Sequence, residues 1–232
     1  MKQRLLRAVA DARAREAADL EPACVDAPAD PEGRWSAKDH LAHLAWWRRR
    51  SARVLEAVRT EGEPPGRPPD EADQNAIIYA ETKDRSAAEV LRDARETWSA
   101  LEAAIEASNE EDLARPHPNA PGSPVWETVP GLGGHLGVHL MFWFMDSGDA
   151  PRAESAAKWG YELECSLLPE PVKHADASYN LACFYARVGR VEEALPLLRE
   201  SFQVNPELIE LARTDPDLDR IRGEAALQVL LG

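Results

Sequence analysis

One stretch limits what this chain can become. From Gly134 it runs Gly-His-Leu-Gly-Val-His-Leu-Met-Phe-Trp-Phe, and the apolar run extends to Met145. The run is broken by His139 and is too short to span a bilayer, so it must be buried among other protein segments. If residues 132–146 form a helix, His135 and His139 stand four apart, on one face and one turn from each other. That is a usual way for a helix to offer two nitrogen ligands to a metal ion. The remaining sequence must then provide a bundle around this helix, and a third ligand if a metal is held.

Ala and Leu abound and β-branched residues are scarce, which predicts an all-α chain of helices and loops. A first helix is expected over 2–20, with Leu5, Leu6, Val9 and Ala12 on one side. The segment 22–33 is a loop rich in Pro and Asp. Ser36 caps a second helix, with Asp39 three residues on as the capping-box acid, and this helix runs to about Arg59. At 100° per residue, His43, Trp46, Trp47, Val54 and Val58 share one face, widened by Leu41, Leu44 and Leu55, so His43 points inward. His40 lies at the edge of that face. The polar, proline-dense segment 60–73 is a loop, followed by a short helix over 74–83. Ser86 and Glu89 open another capped helix that carries Val90, Ala94, Trp98, Leu101 and Ile105 and ends near Ser108. A long connection, 109–131, holds His117 and Trp126. Loops of that length are functional or flexible in compact domains.

Residues 1–150 therefore predict a four-helix bundle with a non-uniform crossover. The turn Ser147-Gly148-Asp149-Ala150-Pro151 ends the apolar helix and reads as a domain boundary. The second unit, 151–232, resembles a tetratricopeptide repeat: Asn180, Leu181, Ala182, Tyr185, Gly189, Ala194 and Pro206 stand at that family's spacings. A helix over 152–167 precedes it and one over 216–231 closes it. A single repeat cannot bury its faces alone, so this segment is expected to pack on itself, on the bundle, or on a second copy in a homodimer.

Three imidazoles, His43, His135 and His139, are the candidate metal ligands. Such a set with open positions suits zinc, nickel or iron. Four glycines at 131, 133, 134 and 137 allow close backbone approach at the same helix start. Glu81, Glu127 and Asp146 are weaker acid/base candidates among 41 acidic residues, and Tyr79 is a candidate cavity residue. Trp46, Trp47, Trp98, Trp126, Phe142, Trp143 and Phe144 read first as core and second as the wall of an apolar pocket.

The segment Trp35-Ser36-Ala37-Lys38-Asp39-His40-Leu41-Ala42-His43-Leu44, followed at distance by His135-x-x-x-His139, resembles the DinB/YfiT-like superfamily of metal-binding four-helix bundles. The resemblance covers roughly 1–150 and assigns the ligand role to His43, His135 and His139. It implies an up-down-down-up bundle and, in the thiol-dependent branch, S-transferases and isomerases that use the metal to activate a low-molecular-weight thiol; the expectation for this chain is a metal-dependent enzyme of the thiol-transferase or hydrolase type. Such an enzyme uses a metal-activated water or low-molecular-weight thiol against an electrophilic small molecule, in detoxification or natural-product metabolism. The segments 75–81, 86–101 and 109–113 resemble instead the ClbS/DfsB branch, which implies a metal-free protective protein with the repeat-like segment as an interaction module.

The formal net charge of -14 disfavours nucleic acid as a partner. The cluster Arg48-Arg49-Arg50 reads as a solvated face. Cys24, Cys165 and Cys183 are odd in number and far apart, which predicts free thiols in a reducing compartment. With no apolar segment near the start, the expected location is the cytoplasm and no membrane partner is expected. Neither a G-x-S-x-G elbow nor a phosphate-binding glycine loop is present.

Overall fold

The computed structural model describes residues 1–26, 30, 33–66, 71–168 and 170–232. Parts of the two expected polar loops, at 27–29, 31–32 and 67–70, lie outside the described residues. The described chain is almost entirely helical. In order come α1 (Lys2–Asp19), α2 (Ala37–Thr60), α3 (Glu71–Thr82), α4 (Ala87–Ala107), α5 (Glu110–Ala114), the short strands β1 (Pro116–His117) and β2 (Ala120–Pro124), and α6 (Pro130–Asp146). After them come α7 (Ala150–Leu167), α8 (Ala175–Arg187), α9 (Val191–Val204), α10 (Leu208–Thr214) and α11 (Ala225–Leu231). Among the described residues, no helix is long and apolar enough to cross a membrane.

Local chemistry sets the helix starts. Ser36 accepts from the Asp39 N–H while the Asp39 side chain accepts from the Ser36 N–H, and Ser86 and Glu89 repeat the arrangement at α4. A third capping box, Asn109 with Asp112, opens α5. It lies in the stretch expected to be an irregular connection. There α5 is followed by an antiparallel β1–β2 pair and a 3-10 turn over Val125–Thr128 that buries Val125 and Trp126. The connection is thus a packed element: Ser108 caps the end of α4, Asn109 starts α5, and Trp126 anchors the rest.

Helices α1, α2, α4 and α6 form the bundle. Helix α2 packs on α4 and α6, and α1 packs on the same two helices. Leu5, Leu41, Leu55, Trp98, Leu101, Ile105, Leu136 and Leu140 fill its interior, each about 2% exposed or less. Each fully buried aliphatic chain there contributes about 1.5–3 kcal/mol from area removed from water. One charge pair is also inside. Arg48, expected on a solvated face, is 2% exposed and bonds Glu16, which is 0% exposed. The reason is rotational: Arg48 sits about one turn beyond buried Leu44 and two turns before buried Leu55, within the buried stripe of α2, whereas Arg49 and Arg50 are only partly covered.

Helix α7 follows α6 after a tight turn and lies against it. The contact is backbone to backbone: a Cβ on Gly137 would come 2.7 Å from the Gly160 Cα and 3.1 Å from the Ala156 oxygen. Two glycines, each costing about 1 kcal/mol in a helix interior, allow this approach. Helix α7 also joins α1, where Arg152 pairs with Asp19 at 2.6 Å and Trp159 Nε1 donates to Asp11 at 2.8 Å. Beyond it, α8 and α9 pair across the turn at Gly189, whose φ of +76° suits glycine. Buried Ala194 lets the two helices approach. Helix α8 packs on α7 and α6, so this C-terminal hairpin rests on the bundle. The single closing helix expected over 216–231 is broken. A 3-10 turn spans Pro216–Ile221, and α11 begins only after Gly223. Arg222 fills the break by donating to the Ala212, Arg213 and Asp215 carbonyls.

Candidate metal centre

Two helices bring four histidines together in the bundle. Helix α2 carries His40 and His43, 4% and 2% exposed, and α6 carries His135 and His139. The capping box fixes where α2 starts, and so which way these residues turn. On α6 the four-residue spacing stacks His135 and His139 on one face, with ring centroids 4.5 Å apart.

Three of the rings aim the same atom at a common point. His43 Nε2 lies 3.1 Å from His135 Nε2, and His139 Nε2 lies 2.9 Å from His135 Nε2. One donor atom from each of His43, His135 and His139 falls within 4.8 Å of the others. The three residues expected from sequence to converge therefore do so.

Burial keeps all these rings neutral. It pushes His43 down to about 4 and His135 to about 3, with the neighbouring His43 and the Arg48 cation adding to the effect on His135. Burial likewise lowers His40 to about 3 and holds His139 well below the usual imidazole range. Neutral imidazoles are the form that ligates a metal. A neutral ring has one donor and one acceptor nitrogen. With the ring protons on the Nδ1 atoms, the three Nε2 lone pairs face one another, and a cation is the group that satisfies them together. The donor set thus fits a divalent ion.

The surroundings are aromatic. The Trp35 ring lies 5.1 Å from His43, 5.5 Å from His40 and, stacked, 5.7 Å from His139. Tyr79 of α3 stacks on the outer side of Trp35 at 6.4 Å, which brings this candidate to the edge of the site. Trp47 lies 6.3 Å from both His43 and His135, and its Nε1 is buried with no partner among the described residues. The other candidates fall elsewhere. Glu81 and Asp146 are exposed, and Glu127 pairs with Lys173. His117 is held in the β1–β2 turn, where its Nδ1 accepts from the Asn119 N–H at 3.0 Å.

Sequence reasoning misses two residues here. Trp35 precedes the cap of α2, and nothing local says that it folds back over the histidines. His40 reads as the edge of the inward face, yet its Nδ1 lies 2.8 Å from His139 Nδ1. Only its position one turn before His43 hints at this.

Among the curated proteins, a chloroplastic protein of Arabidopsis thaliana is 35% identical to this chain over 71 residues. That match covers 31% of this chain and only 21% of the relative's own length. No solved structure matches the chain. A family model described as the DinB superfamily matches residues 2–144, which take in the whole bundle from α1 to nearly the end of α6. More than half of the chain is matched, over the segment that brings the three histidines together, and the chain belongs to the DinB superfamily.

Proposed function

We propose that His43, His135 and His139 hold one divalent metal ion (zinc, nickel or iron) and that the protein is a metal-dependent enzyme. Its reaction is of the thiol-transferase or hydrolase type on an electrophilic small molecule, in detoxification or natural-product metabolism in the cytoplasm. The observation that carries this reading is the convergence of three neutral Nε2 atoms, 2.9 and 3.1 Å apart in the two closest pairs, inside an apolar bundle. Members of the superfamily are often metal-binding. A divalent ion in such a site supplies Lewis acidity, which lowers the pKa of a coordinated water or low-molecular-weight thiol.

The chain's own residues supply the rest. Burial keeps the three rings deprotonated, so ligation needs no proton loss at neutral pH. Trp35, Tyr79 and Trp47 form an apolar wall that excludes water and suits a hydrophobic substrate. The Trp47 Nε1–H, beside His43 and His135, is buried with no partner among the described residues.

Metal analysis of the purified full-length protein tests the reading. One ion per chain is expected, with loss of that ion in His135→Ala and His139→Ala. No stoichiometric metal in wild type, or undiminished metal in both variants, would sink it. A second reading rests on another observation: the rings also form a chain of contacts, His43–His135–His139–His40, that needs no ion. On that reading the protein is a metal-free protective or binding protein of the ClbS/DfsB type, with the α8–α9 hairpin as an interaction module. Metal-free wild type of full stability, with no gain in Tm on adding Zn2+, Ni2+ or Fe2+, favours it.

A further inference from the structure

We infer that His40 is a positioning residue for the metal centre: its Nδ1 accepts the proton on His139 Nδ1 and so fixes the His139 Nε2 lone pair toward the ion. The inference rests on the three-histidine reading above, and it concerns a residue to which the DinB-like pattern gives no role.

Three observations carry it. His40 Nδ1 and His139 Nδ1 lie 2.8 Å apart. At that separation two lone pairs repel and two protons clash, so one nitrogen donates and the other accepts. His139 Nε2 faces the common point beside His135 Nε2, and as a ligand there it presents its lone pair and carries its proton on Nδ1. His40 Nδ1 is then the acceptor, and the His40 proton sits on Nε2.

The second observation is what that arrangement costs. His40 Nε2 is buried with no partner among the described residues. His139 is therefore the one polar group bonded to this ring among the described residues. A leucine or phenylalanine at position 40 would fill the same space without an orphaned nitrogen. Packing alone does not explain an imidazole there, whereas a hydrogen bond to a ligand ring does.

The third is that the pair is clamped. Trp35 meets His40 edge-on at 5.5 Å and stacks on His139 at 5.7 Å, while Trp143 meets His40 at 6.3 Å from the other helix. The rings are held at the angle that keeps Nδ1 opposite Nδ1. Outer partners of this kind orient a ligating imidazole, select its tautomer and raise its basicity.

The test uses the full chain and two variants. His40→Phe keeps an aromatic ring and removes the acceptor. His40→Asn restores an acceptor oxygen near the position of Nδ1. Affinity for Zn2+ is read by competition with a chromogenic chelator, the Co2+ absorption spectrum reports ligand geometry, and circular dichroism of the metal-free proteins reports folding. His40→Phe is expected to bind Zn2+ about 10–100-fold more weakly than wild type. His40→Asn is expected to recover most of that loss. Equal affinity of His40→Phe and wild type, or equal losses in both variants, overturns the inference while leaving the three-histidine site standing. If wild type binds neither Zn2+ nor Co2+, the site itself fails and the inference fails with it. Should His40→Phe not fold, nitrogen-15 shifts of the wild-type zinc form decide. A His40 protonated on Nε2 and accepting at Nδ1 supports the assignment, and a His40 protonated on Nδ1 overturns it.

Discussion

Removing the carboxylate of Glu16 should cost this protein much of its stability, and the size of the loss follows from the geometry. Glu16 accepts from Arg48 at 2.5 and 3.0 Å and from Trp98 Nε1 at 2.8 Å. The Arg48 guanidinium also lies over the Trp98 ring, 4.2 Å from its centroid, and its Nε donates to Thr97 at 3.3 Å. Glu16→Ala leaves a cation and an indole N–H in a dry interior without their acceptor. Breaking a buried pair in this way costs about 3–5 kcal/mol. For a chain of 232 residues each kcal/mol moves Tm by about 2–4 °C, so a fall of about 6–20 °C is expected. Arg48→Met, which leaves the Glu16 carboxylate buried without its cation, should cost a similar amount. The double variant Glu16→Leu/Arg48→Met should recover most of the loss yet stay about 1–3 kcal/mol below wild type, since apolar groups of similar volume remove both charges' desolvation costs but leave the Trp98 indole N–H without its acceptor. Urea unfolding at constant m, followed by circular dichroism, measures all four proteins. A Glu16→Ala loss under about 1 kcal/mol would refute the reasoning, as would a double variant no better than Glu16→Ala.

Two further outcomes are expected. Gly137→Ala gains about 1 kcal/mol of helix propensity but forces a methyl against the Gly160 backbone at 2.7 Å, where overpacking costs about 1–3 kcal/mol. The net effect on the urea midpoint should be destabilising, and because Gly137 lies between His135 and His139, Zn2+ affinity should fall too; a more stable variant with unchanged affinity would show that α6 and α7 are not in backbone contact. Burial, with the nearby Asp176 charge, pushes Glu164 from its ordinary 4.5 up to about 7. Its folded value exceeds its unfolded one, so its favourable contribution is complete below pH 4.5 and is lost as pH rises toward 7. Glu164→Gln, neutral throughout, should therefore match wild type near pH 4.5 and exceed it by on the order of 1–3 kcal/mol at pH 8; a gap that is the same at both pH values would contradict the assignment.

Much of this architecture is written in local chemistry. The Ser36–Asp39 and Ser86–Glu89 boxes start α2 and α4 where side-chain spacing requires, because a cap needs only neighbours within one turn. The same period of 3.6 turns His43 inward and puts His135 and His139 on one face, which makes all three candidates legible. It also predicts that the apolar stretch from Leu136 to Met145 is enclosed, and Leu136, Leu140, Met141 and Phe144 are buried. The Asn109–Asp112 box is equally local, yet the prolines downstream make the connection look irregular and hide it.

What sequence spacing does not reveal depends on which faces meet. Arg48 reads as one of three surface cations until Glu16, from another helix, is placed against it. The glycines of α6 signal close approach, but only the fold shows that Gly160, more than twenty residues on, is what approaches. His40 and His139 stand 99 residues apart and share a hydrogen bond that no periodicity encodes. Helix formation and the inward turn of the histidines arise from interactions along one segment. The pairing of their nitrogens, the burial that keeps them neutral and the clamp of Trp35 arise between segments, where packing sets the distances at which charge and hydrogen bonding act.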